Sequence, residues 1–129
     1  MSRAEAFDKY IGKKAPCYES EVGIPPEDAI KLIRAGGGIP VLAHPYRYIK
    51  DGDLNNAVAR MVKFGLGGIE VYYPNYGKSV RQSLRDVAKE YGLIMTGGTD
   101  YHSEEYGAQL GSVNVILDEF TKKTLKIED

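Results

Sequence analysis

Between Pro26 and Gly98 the chain alternates an amphipathic helical pattern with a short apolar run, three times over. That alternation restricts the fold more than any other feature. Apolar runs of about six residues without polar alternation suit strands buried on both faces. Parallel strands of that kind need a crossover between them, and a helix of ten or more residues supplies it. The runs are "IPVLAH" (39–44), "GIEVYY" (68–73) and "LIMTGG" (93–98), and a fourth, "SVNVIL" (112–117), follows. The expected class is α/β, with about four parallel strands alternating with helices and right-handed crossovers.

The helix boundaries carry their own signals. "PEDAIKLIRAGGG" has Pro26 for its first turn, Glu27 and Asp28 at its positive end, and Gly36 to Gly38 to stop it. "DLNNAVARMVKFG" puts Leu54, Val58, Met61 and Val62 on one face, with Asp51 or Asp53 as cap and Gly65 as stop. "KSVRQSLRDVAKEYG" does the same with Val80, Leu84, Val87, Ala88 and Tyr91, with Ser79 as expected cap and Gly92 as stop. Residues 1–25 have weak periodicity and read as an irregular or helical lead-in. The charged tail "DEFTKKTLKIED" reads as surface helix or frayed end. There is no internal repeat.

Composition excludes several classes. The 129 residues suit one domain, and a net charge of -1 gives no extended basic surface for nucleic acid. No apolar run approaches the length of a membrane span, and the N-terminus lacks the apolar core of a signal peptide. Cys17 is the only cysteine, so neither an internal disulfide nor a paired-cysteine zinc site is available. A cytoplasmic protein is expected.

In parallel α/β folds, chemistry gathers at the carboxyl ends of the strands. Three groups of residues fall there. His44, Pro45, Tyr46 and Arg47 follow the first run, Glu70 and the tyrosines Tyr72, Tyr73 and Tyr76 belong to the second, and Thr99, Asp100 and His102 follow the third. The chain has two histidines, and both lie on this rim. Two imidazoles and a carboxylate suit zinc, manganese or iron, and Gly97-Gly98 permits the turn that lets Asp100 and His102 reach one centre. Arg47 has the fork to grip a phosphate or carboxylate. Glu70, a carboxylate inside an apolar strand, needs a partner and could orient a metal-bound histidine. Bland roles stand beside each of these: surface histidines, a solvated arginine, a strand-end glutamate facing water, tyrosines packed in the core. No phosphate-loop glycine pattern is present, and "RAGGGIP" runs from helix to strand, the wrong order for one. No nucleophile elbow accompanies either histidine.

"GGGIPVLAHP", "GGIEVYYPN", "AKEYGLIMTGGTDYH" and "LGSV", in that order, resemble the C-terminal half of the PHP (polymerase and histidinol phosphatase) phosphoesterases. The branch they look most like acts on nucleoside 3′,5′-bisphosphates and RNA 5′ ends. The resemblance runs from about Ala6 to Val113. It implies the C-terminal portion of a distorted seven-stranded β/α barrel, with residues 26–129 forming a partial PHP domain. It further implies a divalent-metal cluster of manganese, zinc or iron, with His44, Asp100 and His102 as ligands and Arg47 near the substrate phosphate. The H-x-H motif that opens the family's first half has no counterpart here, and Tyr76-Gly77 replaces the usual histidine-containing pair. A metal-dependent phosphoesterase fragment with an incomplete cluster is therefore expected. Its substrate would be a phosphorylated nucleotide or short RNA, and it would need a missing N-terminal half or self-association. Two other readings are a non-catalytic oligomerising or split-partner module and, more remotely, a mononuclear iron enzyme with two histidines and one carboxylate.

Overall fold

The computed structural model of the chain describes residues 1–20, 23–50, 52–104 and 107–127. Helix α1 (Arg3–Ala6) runs on into a π-helical stretch, Phe7–Ile11. Then come α2 (Pro26–Ala35), β1 (Val41–Leu42), a 3-10 turn (Pro45–Arg47), α3 (Leu54–Val62), β2 (Gly68–Tyr72), α4 (Lys78–Tyr91), β3 (Ile94–Gly97) and α5 (Glu119–Leu125). The strands form one parallel sheet in the order β1-β2-β3, with Val41 opposite Gly68 and Gly68 opposite Ile94. The mixed α/β class with parallel pairing is as expected.

The core lies where the helices cover this sheet. Ile69, Val71, Leu84 and Val58 have no exposed surface or almost none. Burying side chains of this size contributes about 1.5–3 kcal/mol each. Helix α4 packs on β2 and β3, and α3 packs on α4 and α2. The faces are those expected: Leu54 and Val58 on α3, and Leu84, Val87 and Ala88 on α4, are buried.

The ends of the elements differ in places. Gly77, not Ser79, holds the N-cap position of α4, and no side chain caps it. Asp53 precedes α3 without a side-chain capping bond, and Asp51 lies outside the described residues. Gly92 stops α4 as expected, in the left-handed region at φ 62°, and its N–H bonds back to the Ala88 carbonyl.

The fourth expected strand does not form. Along 112–117 the half-buried residues Val113, Val115 and Leu117 alternate with the exposed Asn114 and Ile116, which is the burial period of a strand. No ladder pairs this segment among the described residues, and the sheet has three strands. A period of two reports which side chains are covered, whereas a strand also requires a neighbour for its backbone. Helix α5 instead reaches β3: the buried Thr121 accepts the Met95 N–H at its hydroxyl, 3.0 Å away. Asp118 caps α5 by accepting the Thr121 N–H at 2.8 Å. Thr121→Val keeps the shape but strands a buried N–H, and it should destabilise the chain by about 1–3 kcal/mol, while Thr121→Ser should cost less. Urea denaturation of the two variants measures this; equal losses would remove the hydroxyl from the explanation.

Candidate metal and phosphate site

The ends of β1, β2 and β3 bring the predicted rim residues together through backbone geometry that sequence periodicity does not encode. The first device is a register shift between Glu70 and Tyr72, after which Tyr72 pairs with Gly97. Irregularities of this kind re-aim the residues that follow. Here Tyr73 follows, and its hydroxyl reaches Asp100. The second device is a pair of left-handed residues. His44 has φ 30° and Asp100 has φ 51°, values that cost a non-glycine residue roughly 1–3 kcal/mol. Both are residues the sequence singles out as ligand candidates.

Each conformation is held by neighbours. Glu70 accepts the His44 backbone N–H at 2.7 Å, which ties the turn after β1 to the centre of β2. Glu70 therefore acts on the His44 main chain, whereas the sequence suggested it would orient the imidazole. Burial pushes the Glu70 carboxyl above the usual range, partly offset by that hydrogen bond. His44 Nδ1 is buried and has no hydrogen-bond partner among the described residues. Tyr73 and Tyr48 flank the His44 ring, with centroids 5.7 and 5.5 Å away.

Asp100 is the most connected of the candidates. Its Oδ2 accepts the Tyr73 hydroxyl at 2.8 Å and Arg47 Nη1 at 3.2 Å. Its Oδ1 lies 3.9 Å from His102 Nδ1, and that nitrogen is 2.6 Å from the Asp100 carbonyl. The Tyr73 hydrogen bond, chiefly, holds the Asp100 carboxyl below the usual carboxylate range, with the His102, His44 and Arg47 charges adding to it and burial opposing. A cavity of about 410 Å³ opens beside this cluster, lined by Arg47, Tyr73, Asn75, Thr99 and Asp100 among others. Residue type alone lets Tyr73 stack on a base or sugar, pack in the core or cover the rim. Its position directly after a strand end was the available signal for a site role.

The Asp100 shift has a definite pH consequence. A carboxyl with a depressed folded-state pKa contributes stability that is present above its unfolded value of about 3.9 and is lost as pH falls through the lower folded value. The Asp100 contribution should therefore persist down to about pH 4 and disappear below it. Melting midpoints of wild type and Asp100→Asn between pH 6 and 2.5 should converge at the acid end. Parallel curves over that range would detach Asp100 from acid unfolding. Glu70 acts in the opposite sense, because a raised carboxyl favours the fold at low pH and loses that contribution as pH rises through its folded value.

No family model matches the chain. Individual proteins do. A 5′-3′ exoribonuclease of Haemophilus influenzae is 30% identical over 118 residues, covering 88% of this chain and 43% of its own length. A 3′,5′-nucleoside bisphosphate phosphatase of Chromobacterium violaceum is 30% identical over 80% of this chain and 36% of its own. Among solved structures, a proposed metal-dependent phosphoesterase of Bifidobacterium adolescentis superposes with a TM-score of 0.71 and 26% identity, over 95% of this chain and 43% of that one. Over most of its length the chain is a relative of the PHP phosphoesterases. It spans well under half the length of these curated relatives.

The PHP relationship implies a divalent cation, and the rim supplies donors of a suitable kind. The buried, unpartnered His44 Nδ1, the ionised Asp100 and the adjacent His102 fit that role chemically. They do not yet close a shell: among the described residues no three His, Cys, Asp or Glu side chains converge closely enough to hold a metal ion. Also among the described residues, no helix is long and apolar enough to cross a membrane.

Proposed function

We propose that the chain is the cation- and phosphate-binding portion of a metal-dependent phosphoesterase whose substrates are phosphorylated nucleotides or short RNA. The observation that carries this reading is the Asp100 cluster, which gathers a carboxylate, an imidazole and a guanidinium at one strand-end rim beside an open cavity. The bisphosphate phosphatase and exoribonuclease relatives support phosphate-ester cleavage over oxygen chemistry.

In this reading His44, Asp100 and His102 hold a divalent cation. Such an ion lowers the pKa of bound water and offsets charge on the phosphate oxygens. The chain's own contributions are positional. Glu70 fixes the His44 turn, and Arg47 holds Asp100. Arg47 uses Nη1 for Tyr73 and Asp100, and its remaining guanidinium donors suit a phosphate in the cavity it lines.

Three donors from one chain cannot serve a multinuclear cluster. The remaining ligands, in this proposal, lie on an H-x-H half outside these 129 residues, on the same polypeptide or a second one. What favours such a half is an apolar groove of about 370 Å³ beside β1, walled by Ile30, Ile33, Val41, Tyr48 and Met61, with Val41 and Tyr48 exposed. Manganese-dependent release of phosphate from a nucleoside 3′,5′-bisphosphate should stay near background for the chain alone and rise when that half is added. Full turnover by the chain alone would overturn the need for that half. No turnover from a purified complex of the two would overturn the phosphoesterase reading.

A further inference from the structure

Tyr73 contacts three members of the proposed site: Asp100, Arg47 and His44. Its hydroxyl donates to Asp100 Oδ2 at 2.8 Å and accepts from Arg47 Nη1 at 3.3 Å. Its ring stands edge-on to His44, with centroids 5.7 Å apart and planes 70° apart, and packs on Tyr76 at 5.1 Å. Tyr76 in turn accepts the Tyr46 backbone N–H at 3.1 Å, so the pair is braced against the turn that carries His44 and Arg47.

The consequence falls on Asp100. Both described side-chain donors to this carboxylate go to Oδ2, and Oδ1 is the oxygen nearest His102. A carboxylate on a short side chain can rotate about its last bond and offer either oxygen. Two donors on one oxygen remove that freedom and leave the other aimed beside the imidazole.

We infer that Tyr73 is a positioning residue of the metal site: its hydroxyl anchors Asp100 Oδ2 so that Oδ1 is presented beside His102, and its ring keeps the His44 imidazole in place. The inference rests on the reading of Asp100 and His102 as cation ligands, but it concerns a residue that reading leaves without a role. Tyrosine is required here for two reasons at once. A phenylalanine would keep the ring contact with His44 and lose the anchor. A leucine would lose both.

The test is a Co²⁺ titration of the full chain, followed by visible absorption, which reports the ligand geometry as well as the affinity. It is paired with imidazole ¹⁵N spectra, which hold only two histidines. Tyr73→Phe should weaken Co²⁺ binding about tenfold, in line with the loss of an outer hydrogen bond to a metal ligand. The His102 signals should change, while those of His44 stay near their wild-type positions. Tyr73→Leu should weaken binding further and move the His44 signals too. A melting curve for each variant confirms that it is folded at the titration temperature, and Tyr73 is only partly buried, so the core is left intact. Tyr73→Phe with wild-type affinity and spectrum overturns the inference, while an Asp100→Asn control that still loses Co²⁺ leaves the metal site standing. Wild type that binds no Co²⁺, or binding indifferent to Asp100→Asn, overturns both.

Discussion

Asp100→Asn is expected to weaken Mn²⁺ binding by about 100-fold or more, and to remove manganese-dependent hydrolysis from any active complex containing this chain. Outer hydrogen-bonding partners of metal ligands cost roughly 10–100-fold when lost, so a ligand itself should cost at least the upper figure. The amide keeps the shape of the side chain but withdraws the negative charge around which Arg47, Tyr73 and His102 are arranged. The fold should survive. Asp100 is partly exposed, and ion pairs at such positions contribute about 0–1 kcal/mol. Isothermal titration with Mn²⁺, alongside a melting curve, separates the two effects. Mn²⁺ binding that is unchanged in a folded variant would remove Asp100 from the site.

Gly97→Ala should have the largest effect on the fold. A Cβ at Gly97 would meet the Tyr72 carbonyl oxygen at 2.5 Å and its Cα at 3.0 Å. The obstacle is backbone, which cannot rotate away. The clash falls at the register shift that joins β2 to β3, where Gly98 N–H also bonds to the Tyr72 carbonyl at 2.9 Å. Forcing these strands apart should cost about 3 kcal/mol or more, a large share of the 5–15 kcal/mol typical of a domain. The melting midpoint should drop on the order of 10 °C. Gly98→Ala is the matched control, because nothing lies within 4 Å of a Cβ there. Similar losses in both variants would mean that the close approach is not what requires glycine at 97. Because Tyr73 follows directly, Gly97→Ala should also disturb the anchor on Asp100, and any surviving folded fraction should bind metal poorly.

Most of the elements were legible before any coordinates, because helix and strand leave their period in the chain. The apolar faces of α3 and α4 are those that Leu54, Val58, Leu84 and Val87 announce. The caps were read less well. Ser79 resembles a cap in type, yet α4 begins two residues earlier than a Ser79 cap would place it, with Gly77 at the cap position. Capping depends on the dihedrals of the incoming loop, and the short turn after β2 sets those. The segment 112–117 shows the same limit from the other side: its alternation is real, but pairing is a property of two segments.

The candidate site divides in a similar way. The alternating pattern and the rule that chemistry sits at strand ends were enough to select His44, Arg47, Glu70, Asp100 and His102 from the sequence by itself. The relationship to phosphoesterases rests on motifs that are local in the chain. What only the tertiary structure decided is who holds whom. Arg47 meets Asp100 across 53 residues and Tyr73 meets it across 27. Glu70 serves the His44 backbone rather than its ring. Those contacts depend on a register shift in β2 and on left-handed turns at His44 and Asp100. Such dihedrals are imposed on non-glycine residues by the surrounding packing, not by local preference, so no reading of residue types along the chain could have supplied them.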